Sequence, residues 1–215
     1  MDAFRRSSSR SHRRCRAAVG LKGDDRRVPS PVERSVVHRT STRVILSCAA
    51  IGVGGGLFAA GAGYLAGLVA GLVPMLYGIT IGSHFLPSAV ALALLKRPGV
   101  AILTGFIAGL VGAAFAPQWI LRFLGTGLLV GALLELPFFV TRYKNWSPAL
   151  YYLAAGAAGV ILAAGTFVVL GPEHYAPWFW ALYLALFVLS PVLFTWLGRV
   201  IAVSLSRAGV ARALT

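Results

Sequence analysis

The chain has 215 residues, 58% of them hydrophobic and 12% charged, with a mean hydropathy of +0.78. That composition excludes an ordinary soluble globular domain, and the apolar runs are long enough for bilayer-crossing helices, which need about 20 residues each. The formal net charge of +14 would suggest nucleic acid in a soluble chain, but here the placement of the basic residues reads as membrane topology. Cys15 lies in a polar segment and Cys48 in an apolar one. Neither has the spacing of a disulfide or a metal site, so both are expected to be free thiols, and no cofactor is expected.

Residues 1–43 are polar and carry twelve Lys or Arg, with clusters such as Arg5-Arg6 and Arg13-Arg14. No apolar stretch follows within the first 30 residues, unlike a cleavable signal peptide. The expectation is a disordered cytoplasmic tail drawn to anionic lipid. A start further downstream, near Val36, is a second reading. A nucleic-acid arm is the weakest, because no aromatic residue interleaves the basic ones after Phe4.

Six spans follow, in a body predicted over 44–204, with a cytoplasmic C-terminal tail at 205–215. The first span, 44–66, holds two ladders of small residues: Gly52, Gly56 and Ala60, then Gly55, Ala59, Gly63 and Gly67. Such ladders let helix backbones approach closely where lipid offers no hydrophobic drive. They serve packing within the chain, docking of a partner helix, or both. A loop is expected at 67–73. The second span starts near Pro74, a favoured first helical residue, and runs to Leu95. It carries Tyr77, Thr80, Ser83 and His84. Ser83 and His84 are adjacent, point different ways and cannot pair with each other. His84 reads equally as an interhelical hydrogen bonder and as a ligand contact.

The third span is 99–115, Pro117-Gln118 turns the chain, and the fourth span is 118–141. Gln118, Arg122 and Thr126 share one face at its start, with snorkelling as the plain reading of Arg122. Glu135 sits about 140° away from that face. A carboxylate in hydrocarbon is a functional or packing signal. The fifth span is 148–170 and opens with Tyr151 and Tyr152. A loop at 171–177 precedes the sixth span, 178–203, where Trp178, Trp180 and Tyr183 form an interfacial belt and Pro191 is expected to kink the helix.

Of the 20 basic residues, 19 fall in the tail, in the corners Lys96-Arg97 and Arg142-Lys144, and near the C-terminus. Arg122 is alone on the other side. The positive-inside rule then puts both termini in the cytoplasm, which six spans allow. After residue 33 the acids are Glu135 and Glu173. No Walker A sequence, HExxH, GxSxG or paired-aspartate motif is present. The chain therefore reads as a non-enzymatic binding unit that takes its energy from a partner.

The stretch 96–146 carries a resemblance. Its residues are Lys96-Arg97-Pro98-Gly99-Val100-Ala101, Gln118-Trp119, Gly127-Leu128-Leu129 with Gly131, Glu135, and Arg142-Tyr143-Lys144 with Trp146. In these it resembles the substrate-binding S components of energy-coupling-factor (ECF) vitamin transporters, of the hydroxymethylpyrimidine/thiamine permease type. Gly82 with His84-Phe85 falls where that family has a Gly-x-aromatic-Phe pattern. The resemblance implies a six-helix S-component bundle, a small vitamin as ligand, and as partners a transmembrane T component with a pair of cytoplasmic ATPases. It also implies that small residues of the first helix, here Gly52, Gly56 and Ala60, meet the T component. There are departures: Thr104-Gly105 and Gly112 stand where that family carries acids, and Val130 replaces a polar residue. A cationic ligand such as thiamine would favour those acids, so a neutral pyrimidine or another vitamin fits better.

A flat heteroaromatic ligand needs aromatic faces and a few fixed polar groups. The candidates are Tyr77, Thr80, His84, Gln118, Trp119, Arg122, Trp178 and Trp180, although the last two read at least as well as interface anchors. Glu135 lies about 10 Å from its helix end, with Arg142 seven residues on and expected on the same face, partly offsetting its charge. Both are read as coupling or packing residues ahead of ligand contacts. Two rivals stand beside the S-component reading: a stand-alone secondary permease with Glu135 as proton carrier, and a membrane scaffold without ATPase partners.

Overall fold

The structure is a computed structural model and describes residues 42–72, 77–170 and 176–208. The polar tail before Thr42, the helix start expected at Pro74, Glu173 and the end of the C-terminal tail lie outside the described residues. Everything described is helix or short connection. Helix α1 is Thr42–Leu72, α2 Tyr77–Ile81, α3 Phe85–Leu95, α4 Val100–Phe115, α5 Ile120–Val140, α6 Pro148–Leu170 and α7 Pro177–Arg207. A 3₁₀ turn, Gly82–His84, joins α2 to α3, and another, Pro117–Trp119, leads into α5. Taking α2 and α3 as one span gives six apolar spans. Five are long enough to cross a bilayer, while α4 has 16 residues and rises about 24 Å.

The punctuation of the sequence explains the corners. Lys96 closes α3 in the left-handed region at φ 46°, its N–H donating to the Leu92 carbonyl at 3.1 Å. Pro98 blocks continuation of the helix, and Gly99 (φ 81°) launches α4. At the far end of α5, Arg142 (φ 51°) and Tyr143 (φ 56°) reverse the chain. Here the Tyr143 N–H donates to the Phe138 carbonyl at 2.7 Å. Pro148 and Pro177 open α6 and α7, where the missing N–H costs nothing.

Two expectations are corrected. The loop predicted at 67–73 is helical as far as Leu72. Its residues, Gly67-Leu-Val-Ala-Gly-Leu72, are all apolar, and breaking the helix there would leave backbone groups unpaired in hydrocarbon. The second span, expected as one helix, is interrupted by the 3₁₀ turn. Ser190 of α7 stabilises the break: its Oγ accepts the Gly82 N–H at 3.2 Å and donates to the Ile79 carbonyl at 2.6 Å. The Thr80 and Ser83 hydroxyls bond back to the Tyr77 and Thr80 carbonyls at 2.7 Å each. Pro191, expected to kink the last span, lies within α7 and is buried.

Helix α4 packs between α1 and α5, α3 packs on α7, and α6 packs on α7. The larger core gathers Phe85, Leu92, Leu134, Phe138 and Tyr151, with the Phe138 and Tyr151 rings edge-on at 4.7 Å. Leu46, Leu65, Leu121, Phe139, Leu153 and Leu189 point outward. In water they would make a sticky surface; in a bilayer they face lipid.

Small residues set the helix spacing. A Cβ on Gly52 would lie 2.8 Å from Ile107 Cγ2, and one on Gly56 would lie 2.7 Å from the Ala108 carbonyl oxygen. The ladder Gly52, Gly56, Ala60, expected to meet a coupling subunit, is therefore filled by α4 at its two glycines, and Ala60 is buried. The physical reason is economy of contact: a smooth α1 face lets the neighbouring short helix seat deeply. Between α4 and α5, Gly105 and Gly127 face each other so closely that a side chain on either would strike the other's carbonyl. Gly127→Val is expected to push these helices apart, costing about 1–3 kcal/mol or more. The apparent melting temperature of the detergent-purified chain should fall by several degrees; unchanged melting would rule out this contact.

Candidate functional site

One cavity of about 460 Å³ opens between α1, the broken α2–α3 span and the start of α5. Its lining contains six of the eight residues picked out in the sequence: Tyr77, Thr80, His84, Gln118, Trp119 and Arg122. The local folds explain why. The 3₁₀ turn at Gly82–His84 carries His84 toward α5, half-buried beside the Phe123 ring with centroids 6.0 Å apart. The 3₁₀ turn Pro117–Trp119 swings Gln118 and Trp119 to the same end as Arg122. Gln118, Arg122 and Thr126, four residues apart, all line the cavity.

Arg122 is held rather than free to snorkel. One of its terminal N–H groups donates to the Tyr77 hydroxyl. Its guanidinium carbon lies 5.2 Å from the centre of the Tyr77 ring and 5.4 Å from that of Trp119, within cation–π range. The described lining has no carboxylate, and Glu135 is the sole acid among the described residues.

Trp178 and Trp180 do not join this lining. Trp178 is 66% exposed. Trp180 packs edge-on against Phe167 at 4.5 Å and sits in an aromatic cluster with Phe179 and Tyr183. Sequence reasoning did not place Tyr64 and Phe123 among the site residues, and it read Gly63 only as a packing residue; all three line the cavity. Tyr64 was visible as the one aromatic with a polar tip in a glycine- and alanine-rich helix. Its hydroxyl donates to the Phe115 carbonyl at 2.9 Å and ties α1 to the end of α4.

Glu135 belongs to a different place. It lies thirteen residues from Arg122 along α5, about 20 Å away, and is 2% exposed. One carboxylate oxygen accepts the Gly99 N–H and, at 2.9 Å, the Tyr143 hydroxyl; the other accepts the Ile102 N–H at 3.3 Å. These amides are first-turn donors of α4, which have no partner inside their own helix and attract negative charge. Glu135 thus joins the Lys96-Arg97-Pro98-Gly99 corner to the Arg142-Tyr143-Lys144 corner. Arg142 does not meet it. Helix α5 ends at Val140, so the heptad spacing that put Arg142 on the Glu135 face no longer applies. Arg142 points outward, and the next residue, Tyr143, turns back to the carboxylate.

Burial, and after it the carboxylate of Glu135, push the Tyr143 phenol up from its ordinary value near 10 to about 12. A raised phenol holds its proton in the folded chain longer than in the unfolded one. Its contribution is fully present below about pH 10 and is lost as pH rises toward 12. Tyr143→Phe should flatten the alkaline limb of a stability–pH curve over that window and lower stability at neutral pH by about 1–2 kcal/mol. An alkaline limb identical to the parent's would show that another group titrates.

A bundle of apolar helices with a ligand-sized cavity at one end is the architecture of a polytopic membrane permease subunit. The family model for the ABC-type cobalt transport system, permease component, matches residues 43–161, and the chain belongs to that family. Its fold is that of a crystal structure described as an S-component of an ECF transporter, with a TM-score of 0.72 and 24% identity, covering 79% of this chain and 87% of that one. No curated protein matches.

Proposed function

We propose that the chain is the substrate-binding S component of an ECF-type importer and that the cavity is its vitamin site. The observation that carries this reading is the convergence of Tyr77, Thr80, His84, Gln118, Trp119 and Arg122 on one cavity, at the end of α5 opposite the basic corners. With the basic corners and both termini in the cytoplasm, the cavity faces outward, as uptake across the plasma membrane requires. A T component and an ATPase pair would supply the energy, and the chain itself would not be an enzyme. Tyr77, Trp119 and Phe123 offer ring faces, and Thr80, His84 and Gln118 offer orienting polar groups, for a flat heteroaromatic ligand of the hydroxymethylpyrimidine or thiamine-related kind.

Cobalt, which the family description names, is a poorer fit. Divalent cobalt needs several strong N, O or S ligands, and the described lining offers one imidazole and neutral hydroxyl and amide oxygens, with a guanidinium beside them and no carboxylate or thiol. Among the described residues no three His, Cys, Asp or Glu side chains gather. A stand-alone permease using Glu135 as proton carrier is not favoured either, because its carboxylate is engaged by three donors.

The test is thermal-shift and equilibrium binding on the detergent-purified chain with hydroxymethylpyrimidine, thiamine and a panel of B vitamins. A ligand at 100 times its Kd stabilises by about 2.7 kcal/mol, a rise of several degrees. Absence of any shift across the panel, with Co²⁺ producing one, would transfer the site to the metal.

A further inference from the structure

We propose that the ligand of this cavity carries a carboxylate, and that Arg122 is its counter-ion. The inference rests on the reading that the cavity binds a small molecule, and narrows the heteroaromatic class to carboxylated members, which sets hydroxymethylpyrimidine and thiamine themselves aside. The described lining holds one formal cation and no acid, so an entering ligand with a positive charge meets a guanidinium that no described residue of the lining neutralises. An entering carboxylate supplies the missing charge.

The guanidinium is also set up for that group. Its carbon lies within cation–π range of the Tyr77 and Trp119 rings, and its bond to the Tyr77 hydroxyl holds one arm of the fork. Among the described residues the Tyr77 hydroxyl is the one acceptor recorded for it, and a guanidinium has five N–H groups. The remaining fork matches a carboxylate in a bidentate way. The Tyr77 hydroxyl accepts from Arg122, so its own proton remains to donate toward the same ligand oxygen. Gln118 and Thr126, one turn to either side of Arg122 on the same face, add neutral donors. An arginine that merely snorkels extends toward headgroups; this one is bonded to the Tyr77 hydroxyl inside the cavity lining. Arg122 stands near the first turn of α5, where the amide dipoles disfavour a cation and favour an anion. A bound carboxylate relieves that placement.

Matched ligand pairs provide the test. The full chain in detergent is titrated calorimetrically with nicotinate and nicotinamide, biotin and biotinamide, and 4-amino-2-methylpyrimidine-5-carboxylate and hydroxymethylpyrimidine, with thiamine as the cation. The expected result is a carboxylate that binds at least about tenfold more tightly than its neutral twin. Arg122→Gln should then weaken that carboxylate by about a hundredfold and abolish the preference. Arg122→Lys, which keeps the charge and loses the fork, should fall between them. The melting curve of each variant without ligand separates lost binding from lost folding. Neutral hydroxymethylpyrimidine or thiamine binding as tightly as the carboxylate, or a preference that survives Arg122→Gln, overturns the inference and leaves the binding-unit reading standing. Silence from every member takes down both. Native mass spectrometry supplies the last arm. A phospholipid that stays bound to the parent, leaves the Arg122→Gln variant and is not displaced by the carboxylate would make the anion a lipid phosphate, which also overturns the inference.

Discussion

Glu135→Leu is expected to destabilise the folded chain by about 3–5 kcal/mol. Three donors lose their acceptor at once: the Gly99 and Ile102 amides and the Tyr143 hydroxyl. Each donor left buried and unpaired costs about 1–3 kcal/mol, and partial access to water at the corner reduces the sum. The α4 N-terminus also loses the charge that complements its dipole. Glu135→Gln keeps an acceptor oxygen and should cost less than half as much. The measurement is thermal or denaturant unfolding of the purified protein in detergent. Equal loss in the two variants would mean that charge, not hydrogen bonding, is what the corner needs. No loss in either would remove Glu135 from the fold's framework.

The second large effect is on binding. Trp119→Ala should weaken the vitamin ligand by about 10- to 100-fold, with little change in melting temperature without ligand. Trp119 is 52% exposed, so its removal leaves no buried hole. It does take away a ring face, of the kind that anchors binding sites for about 1–3 kcal/mol, and it loosens the guanidinium of Arg122 resting on it. Trp178→Ala is the control. Trp178 lies outside the described lining and should leave affinity unchanged. Equal losses in the two variants would move the site toward the start of α7.

Much of this architecture is legible from one-dimensional pattern. The last four spans are found within a few residues of their observed bounds, because Pro98-Gly99, Pro117, Pro148 and Pro177 interrupt apolar runs at the helix ends. The Gln118, Arg122, Thr126 face follows from helical spacing alone. The weaker reading is at the first two spans. There the sequence carries no polar break between Gly67 and Leu72, and a tertiary bond from Ser190 supports a 3₁₀ turn that local pattern reads as continuous helix. Residue type and depth group Trp178 and Trp180 with the cavity residues. Which way the start of α7 rotates is set by packing such as that of Trp180 against Phe167 of α6, and no spacing within the helix reveals it.

Glu135 shows where the division falls. The sequence by itself determines that a carboxylate lies inside an apolar run between two basic corners, and hydrocarbon requires that such a group find donors. It does not determine which donors. A heptad count selects Arg142, but α5 stops at Val140 and two left-handed residues turn the chain, so Tyr143 reaches the carboxylate instead. The α4 amides that complete the set come from more than thirty residues away. Most of the spans are written in the chain because the bilayer acts on each segment separately. The pairing of Glu135 and the closure of the cavity around Arg122 are decided by tertiary structure, because they depend on how helices rotate and end against one another.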